Sequence, residues 1–354
     1  MASTIKDVAE RAGCSIATVS RFMNGTAVLS VETRARIEAA VEALGYRPSE
    51  MGRSLRRQAS RTIGVIVPSL TNPVFAASVA GLQFRAQQAG FGVLIATTEY
   101  DAGQEIAVLE TFLGKGVDGL ALTVSDALAS PALAVLDAER KPHVLLYNQA
   151  DRPDRMCITV DNIAAAHAMT RAILAEGHRR IAFLAGRFSA SDRSRLRYRG
   201  FANAMAEAGI APPAPLEVDF LGDMPDQAIR ALFQQSEPPT ALFCSNDVLA
   251  LAAIGALRRL GLSVPDDISI VGFDGIALGR MVEPPLATVS QPARDMGEAA
   301  MRLLLNQIQT RATSTPTFMP FELRLGGTLA AASQHEHLTS DRPKQPKKSN
   351  QTGR

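Results

Sequence analysis

The chain has 354 residues, 46% of them apolar, and a formal net charge of +2, a composition that suits two or three globular domains with sizeable cores. Its three cysteines, Cys14, Cys157 and Cys244, are too far apart for a C-x-x-C metal or redox site or a disulfide framework, and a reducing, cytoplasmic compartment is expected. The N-terminus, MASTIKDVAERAG, carries charges where a leader needs an apolar core, and no stretch reaches about 18 uninterrupted apolar residues, so neither export nor membrane insertion is expected.

Three helical patterns occupy the first 45 residues. Thr4 can cap a helix with Ile5, Val8, Ala9 and Ala12 at helical spacing, ended at Gly13; Ser15 can cap a second carrying Val19, Phe22 and Met23. Ser30 can cap a third, stopped by Gly45. Helix, short turn, helix and a third helix is the pattern of a helix-turn-helix domain, residues 1–47. Residues 1–60 hold nine Lys/Arg against six Asp/Glu, with Arg47, Arg53, Arg56 and Arg57 bunched, which points to a polyanion partner for that end. Residues 48–60 read as a linker in which Ser49 caps one short basic helix.

From residue 61 the texture changes to short apolar runs alternating with helical patterns: TIGVIVP, GVLIATT, GLALTV, HVLLYN, CITVD, RIAFLAG, TALFCSN and ISIVGFD. Such runs are buried parallel strands of βαβ units, and residues 61–330 form an α/β body of doubly wound parallel sheets, its length favouring two lobes and a cleft. Residues 331–354 are polar and Pro/Lys-rich and expected to be disordered.

No G-x-G-x-x-G follows the first strand, and neither G-x-x-x-x-G-K-[ST] nor G-x-S-x-G occurs, so dinucleotide, P-loop and hydrolase chemistry lose their main supports. The five histidines lack metal spacing; no metal or cofactor is expected. Polar residues do gather at strand carboxyl ends, where open α/β sheets bind ligands: Ser69, Asn72, Asn148, Asp161, Asn162, Asn246, Asp247, Asp274 and Gln291. Asn72, Asp161 and Asp247 are equally readable as helix N-caps. Within SASDRSRLRYRGF, Arg193, Arg195, Arg197 and Arg199 could clamp an anion; one of the four is expected to face the cleft.

The runs TIKDVAERAGCSIATVSRFMNG, VLSVETRARIEAAVEALGYRPS and SLRRQASRTIGVIVPSLTNPVF, continuing through KGVDGLAL, EGHRRIAFLAG, SND, VPDDISIVGFD and VSQP, closely resemble the lactose-repressor/galactose-repressor family of bacterial transcription regulators, over residues 4 to 329. The resemblance implies a DNA-binding head, a hinge helix and a two-lobed body like the periplasmic sugar-binding proteins. It also implies a homodimer reading a pseudo-palindromic operator in double-stranded DNA, and a small-molecule effector. Residues 15–24 match the recognition helix: Ser15, Thr18 and Ser20 would meet phosphates, and Ile16, Ala17 and Arg21 base edges, with Asn24 at its end. Leu55 matches the minor-groove wedge and Arg56 the cation after it. Met51 and Gly52 replace helix-favouring residues, and glycine costs about 0.8–1 kcal/mol relative to alanine, so the hinge is expected to order only on DNA.

The family's effector contacts carry over as Ser69, Phe75, Asn148, Arg197, Asn246, Asp274 and Gln291. Asn148 departs from the aspartate of many members and turns a charged hydrogen-bonding position neutral. Ala165 departs from a glycine, for which a slightly altered loop is expected. The ligand class expected is a sugar or sugar derivative, with the arginine-rich segment favouring an anionic one. The tail lacks the leucine heptads of a tetramerising coiled coil, so a dimer is expected. A transporter's solute-binding module and an enzyme using Asp247 and Asp274 as an acid/base pair are the competing readings.

Overall fold

The computed structural model describes residues 3–23, 27, 29–46, 60–150, 152–220 and 226–332; Asn24, the expected hinge residues Ser49, Met51, Gly52, Leu55 and Arg56, and the expected tail from residue 333 lie outside them. The chain divides into two compact units, Met1–Arg61 and Thr62–Arg354.

The head consists of α1 (Ile5–Arg11), α2 (Ile16–Met23) and α3 (Val31–Leu44). Thr4 and Asp7 form a reciprocal capping box at the start of α1, satisfying backbone donors that the first turn leaves orphaned. Ser15 Oγ accepts from the Thr18 amide at 3.1 Å, Ser30 caps α3, and Gly45 ends it in the left-handed conformation, which glycine adopts at no steric cost. Val8, Ala9, Ala12, Val19, Ile37 and Ala40 close a small core.

The body comprises β1 (Thr62–Val67), α4 (Pro73–Gln88), β2 (Gly92–Thr97), α5 (Ala102–Gly114), β3 (Gly119–Leu122), α6 (Pro131–Ala138), β4 (His143–Leu146), β5 (Cys157–Thr159), α7 (Asn162–Ala175), β6 (Ile181–Gly186), α8 (Asp192–Glu207), β7 (Leu216–Val218), α9 (Asp226–Phe233), β8 (Ala241–Cys244), α10 (Asp247–Arg259) and β9 (Ser269–Asp274). A 3-10 turn at Ala277–Arg280, β10 (Ala287–Ser290), α11 (Ala293–Thr310), β11 (Thr317–Phe318) and β12 (Glu322–Arg324) complete it. The strands build two six-stranded sheets of matching order, β2-β1-β3-β4-β5-β11 and β7-β6-β8-β9-β10-β12. All neighbours run parallel except β10 and β12. Every residue of β3, β6, β8 and β9 is buried, as expected for strands covered by helices on both faces.

The chain crosses between the sheets three times: after β5, before α11, and between β11 and β12. Helix α11 packs on α4, β3, β4 and β5 of the first lobe, whereas α7 packs on α8 and β10 of the second. The close approach of α4 and α11 depends on paired glycines. A Cβ on Gly81 would lie 2.0 Å from the Arg294 carbonyl oxygen, and one on Gly297 would lie 1.9 Å from that of Ser78. Ala165 sits in the first turn of α7 and is fully buried, so the loop expected around it is instead regular helix.

Candidate functional site

In each sheet the strand order reverses beside the first-formed strand, between β1 and β3 and between β6 and β8. Open α/β sheets bind ligands at such switch points, outside the strand carboxyl ends. The two lobes turn these ends toward one another, and their polar tips meet in a cleft. There a cavity of about 20 Å³ is bordered by Asn72, Phe75, Tyr100, Tyr147, Arg193, Arg197, Phe220, Asn246, Asp274 and Gln291. That is room for about one water, so the lobes are closed.

Asp274 and Arg197 form the polar centre. Arg197 is buried beneath the cleft: Nε donates to Asn162 Oδ1 at 2.9 Å, and Nη1 donates to the Ser245 carbonyl at 2.6 Å and to Asp274 Oδ1 at 3.3 Å. Its guanidinium lies 3.6 Å from the centre of the Phe273 ring, a cation over an aromatic face. Asp274 also accepts from Gln291 Nε2 at 2.8 Å and, from the other lobe, Asn72 Nδ2 at 3.5 Å. Burial pushes the Asp274 carboxyl up while Arg197 draws it back down; desolvation likewise lowers the Arg197 pKa, opposed by Asp274. Two cleft atoms, Arg193 Nη2 and Gln291 Oε1, are buried with no hydrogen-bond partner among the described residues. A buried donor and a buried acceptor left unpaired cost about 1–3 kcal/mol each, which a polar ligand would recover.

Aromatic rings wall the remainder. Tyr100 and Phe220, from opposite lobes, stack with centroids 4.2 Å apart, and Phe75 packs edge-on against Tyr147 at 5.2 Å. The Phe220 ring occupies the space where a Cβ on Gly186 would be. Tyr100, Tyr147 and Asp274 all have positive φ, at 61°, 72° and 119°. Non-glycine residues held there store about 1–3 kcal/mol each, and such strain clusters at ligand clamps.

The lobes are latched by hydrogen bonds beside the cleft. Asp192, at the start of α8, accepts from Asn148 Nδ2 at 2.8 Å and from the Ala127 amide at 3.1 Å, and its own amide donates to the Ser125 carbonyl at 2.7 Å. Arg193 Nη1 donates to the Val124 carbonyl at 2.8 Å, and Arg195 pairs with Asp126 at 2.9 Å.

Phe75, Arg197, Asn246, Asp274 and Gln291 thus border the cavity, while Ser69 and Asn148 do not. Ser69 Oγ bonds Thr71 Oγ1 at 2.7 Å. Asn148 is fully buried, its amide spent on Val124 and Asp192, so its neutral side chain serves the latch in this closed arrangement. Two arginines, not one, reach the cleft: Arg193 and Arg197 lie four residues apart and share one face of α8. Arg195 pairs with Asp126, and Arg199 is exposed. The caps also fall differently. Asn72 and Asp161 cap α4 and α7, but Asn246, not Asp247, caps α10. Asp247 instead accepts from Thr288 Oγ1 at 2.5 Å and the Ile276 amide at 2.8 Å, and burial, reinforced by Asp274, raises its pKa to about 7. Tyr100, Tyr147 and Phe220 border the cavity without having been singled out in the sequence.

On the head, Ser15, Ile16, Ala17 and Arg21 are exposed on one side of α2, with Ile16 46% exposed, while Val19 turns inward. Thr18 and Ser20 are half-buried. The Ser15 and Thr18 hydroxyls bond one another at 2.8 Å, and Arg21 Nε rests on the Ala17 carbonyl at 3.3 Å. An apolar side chain so exposed on a short helix, next to small residues and a guanidinium, has the composition of a major-groove reader.

Residues 4–49 match the bacterial regulatory proteins of the lacI family, and residues 170–329 match the periplasmic binding protein-like domain. The chain is 35% identical over 335 residues to the HTH-type transcriptional repressor CytR of Escherichia coli (strain K12), spanning 93% of this chain and 97% of that protein. It is 35% identical over 312 residues to the HTH-type transcriptional repressor PurR of Aliivibrio salmonicida (strain LFI1238), spanning 87% and 93%. Its fold matches the crystal structure of the lac repressor dimer bound to operator and the anti-inducer ONPF, with a TM-score of 0.83, 31% identity, and coverage of 94% of this chain and all of that one. These relatives are transcriptional regulators, not enzymes, which removes the acid/base reading of Asp247 and Asp274. With a lacI-type DNA-binding head and a periplasmic-binding-protein-like body joined in one polypeptide, the chain belongs to the lacI family of bacterial regulatory proteins.

Proposed function

We propose that the protein is a homodimeric repressor whose hold on a pseudo-palindromic operator in double-stranded DNA is controlled by a small molecule bound in the cleft. In this reading Ser15, Thr18 and Ser20 meet phosphates, and Ile16, Ala17 and Arg21 read base edges with Asn24 at the helix end; Leu55 and Arg56 enter the minor groove. The effector is a sugar or sugar derivative contacted by Phe75, Arg197, Asn246, Asp274 and Gln291, with Ser69 and Asn148 reached when the lobes part. Arg193 beside Arg197 favours an anionic one. The observation that carries this reading is the unpaired buried pair Arg193 Nη2 and Gln291 Oε1, a donor and an acceptor waiting on one polar ring between aromatic walls. Dimerisation is supported by the half-exposed edge strand β2 and by apolar side chains bared on each lobe: Phe84 and Ile95 on one, Leu278 and Met281 on the other.

Because a ligand shifts an equilibrium only by its differential affinity for the two states, a coupling of about 1–3 kcal/mol, or 5- to 150-fold in operator affinity, is expected. The test is anisotropy of a labelled operator duplex titrated with sugars and sugar acids, in the parent and in Gln291→Leu. Loss of the ligand response with operator affinity retained supports the reading; an undiminished response in Gln291→Leu contradicts it.

A further inference from the structure

At the opposite end of the first lobe's sheet, where β4 and β5 begin, the body holds a cavity of about 850 Å³, far roomier than the closed cleft and within the roughly 300–1,000 Å³ of small-molecule sites. It is bordered by the end of α6 and the turn after it, the first residue of β4, the segment before β5, and the end of α11. No cleft residue borders it.

Its lining is charged. Arg140, Lys141, Arg152, Arg155 and Arg311 supply five cationic groups against the three carboxylates of Asp137, Glu139 and Asp154, an excess of +2. Two of the carboxylates are already engaged. Asp137 Oδ2 receives Arg155 at 2.8 Å and Arg152 at 3.3 Å, and Asp154 takes Arg152 Nε at 3.1 Å. Among the described residues, Arg140, Lys141 and Arg311 have no carboxylate within ion-pair distance. The carboxyl ends of α6 and α11 each bring about half a negative charge, which lowers the excess to about +1 and leaves it positive. Arg140 and Arg311 both stand at positive φ, 52° and 60°, a conformation that costs a non-glycine residue about 1–3 kcal/mol, and both border this one cavity.

The geometry points to a second small-molecule site here, for a compact polyanion of the phosphorylated class, held by Lys141, Arg140 and Arg311 above the Asp137–Arg155–Arg152 floor. Guanidinium forks match phosphate oxygens two at a time, and the lysine adds a point charge. A concave site with cations on three of its walls suits a dense charge that enters it better than a duplex backbone passing over it.

Inorganic pyrophosphate is the probe, titrated calorimetrically into the full-length protein, its Lys141→Ala/Arg311→Ala variant and, as a cleft control, Gln291→Leu. The exposed or half-buried positions of Lys141 and Arg311 leave the fold intact, which circular dichroism checks. The expected result is saturable binding, weakened tenfold or more in the double variant and unchanged in Gln291→Leu. Absence of saturable binding, or equal binding in the double variant, overturns the proposal, as does loss in Gln291→Leu, which would put the anion in the cleft. A double variant that loses operator affinity while pyrophosphate binds neither protein also overturns it and assigns the cations to the DNA backbone.

Discussion

Truncating Arg197 to alanine strips Asp274 of its only cationic hydrogen-bond partner among the described residues and leaves a carboxylate buried between the lobes. Removing one partner of a buried pair costs about 3–5 kcal/mol because the other charge stays desolvated. Asp274 keeps Asn72 and Gln291 as donors, which places the loss at the lower end, about 3 kcal/mol. Native stabilities are about 5–15 kcal/mol, so the variant still folds with a reduced urea midpoint. Adding Asp274→Asn removes the stranded charge. The double variant should therefore be more stable than the sum of the single losses predicts, with a coupling energy of about 2–3 kcal/mol. The assay is urea unfolding followed by far-UV circular dichroism on parent, both single variants and the double. Losses that add within about 0.5 kcal/mol would show two independent side chains and refute the charge-pair account. Arg197→Ala should also abolish the effector response while leaving operator affinity intact, as an undiminished response would disprove.

Arg21→Ala should cost roughly 1–3 kcal/mol at one base pair of each half-site, read by competition among operators changed at single positions; a uniform loss over all sequences would make Arg21 a phosphate contact. Asp247, its pKa raised to about 7, binds its proton more tightly folded than unfolded, so its contribution to stability is fully present below pH 4 and lost as pH rises through 7. Asp247→Asn should flatten the decline in thermal midpoint between pH 4 and pH 8, and an unchanged slope would contradict this. Gly297→Ala should lower stability by about 1–3 kcal/mol, because its Cβ has no room against the Ser78 carbonyl; a neutral effect in urea unfolding would show that α4 and α11 can part. If residues 48–60 form the proposed hinge helix, Gly52→Ala should tighten operator binding by up to about 1 kcal/mol, measured by duplex titration, and unchanged affinity would remove glycine as a determinant of hinge ordering.

Strands such as β3, β6, β8 and β9 were legible because burial on both faces leaves no polar alternation to confuse, while β2 and the three-residue β5 showed through the apolar runs GVLIATT and CITVD that contain them. β7, β11 and β12 were not, since two or three residues carry no period. Capping chemistry fixed the head's helices closely, yet missed by one at α10, where Asn246 and Asp247 are both good caps and only the position of the strand end decides between them. The signal for Arg193 was present. Its spacing of four from Arg197 places both on one helical face, so a second arginine follows the first into the cleft where only one of the four was expected. Tyr100 and Phe220 carried no such signal, because each sits in a connecting segment of its own lobe and their pairing exists only across the cleft. The engagement of Asn148 by Asp192 was hidden for the same reason: 44 residues separate them, and a local pattern does not see that distance.

Selection of bound duplexes from a random library, with the full-length protein at near-physiological salt, tests the central claim most directly. The account predicts a palindrome whose half-sites are altered by Arg21→Ala. Recovery of unrelated sequences, with binding that vanishes as salt rises, would contradict it.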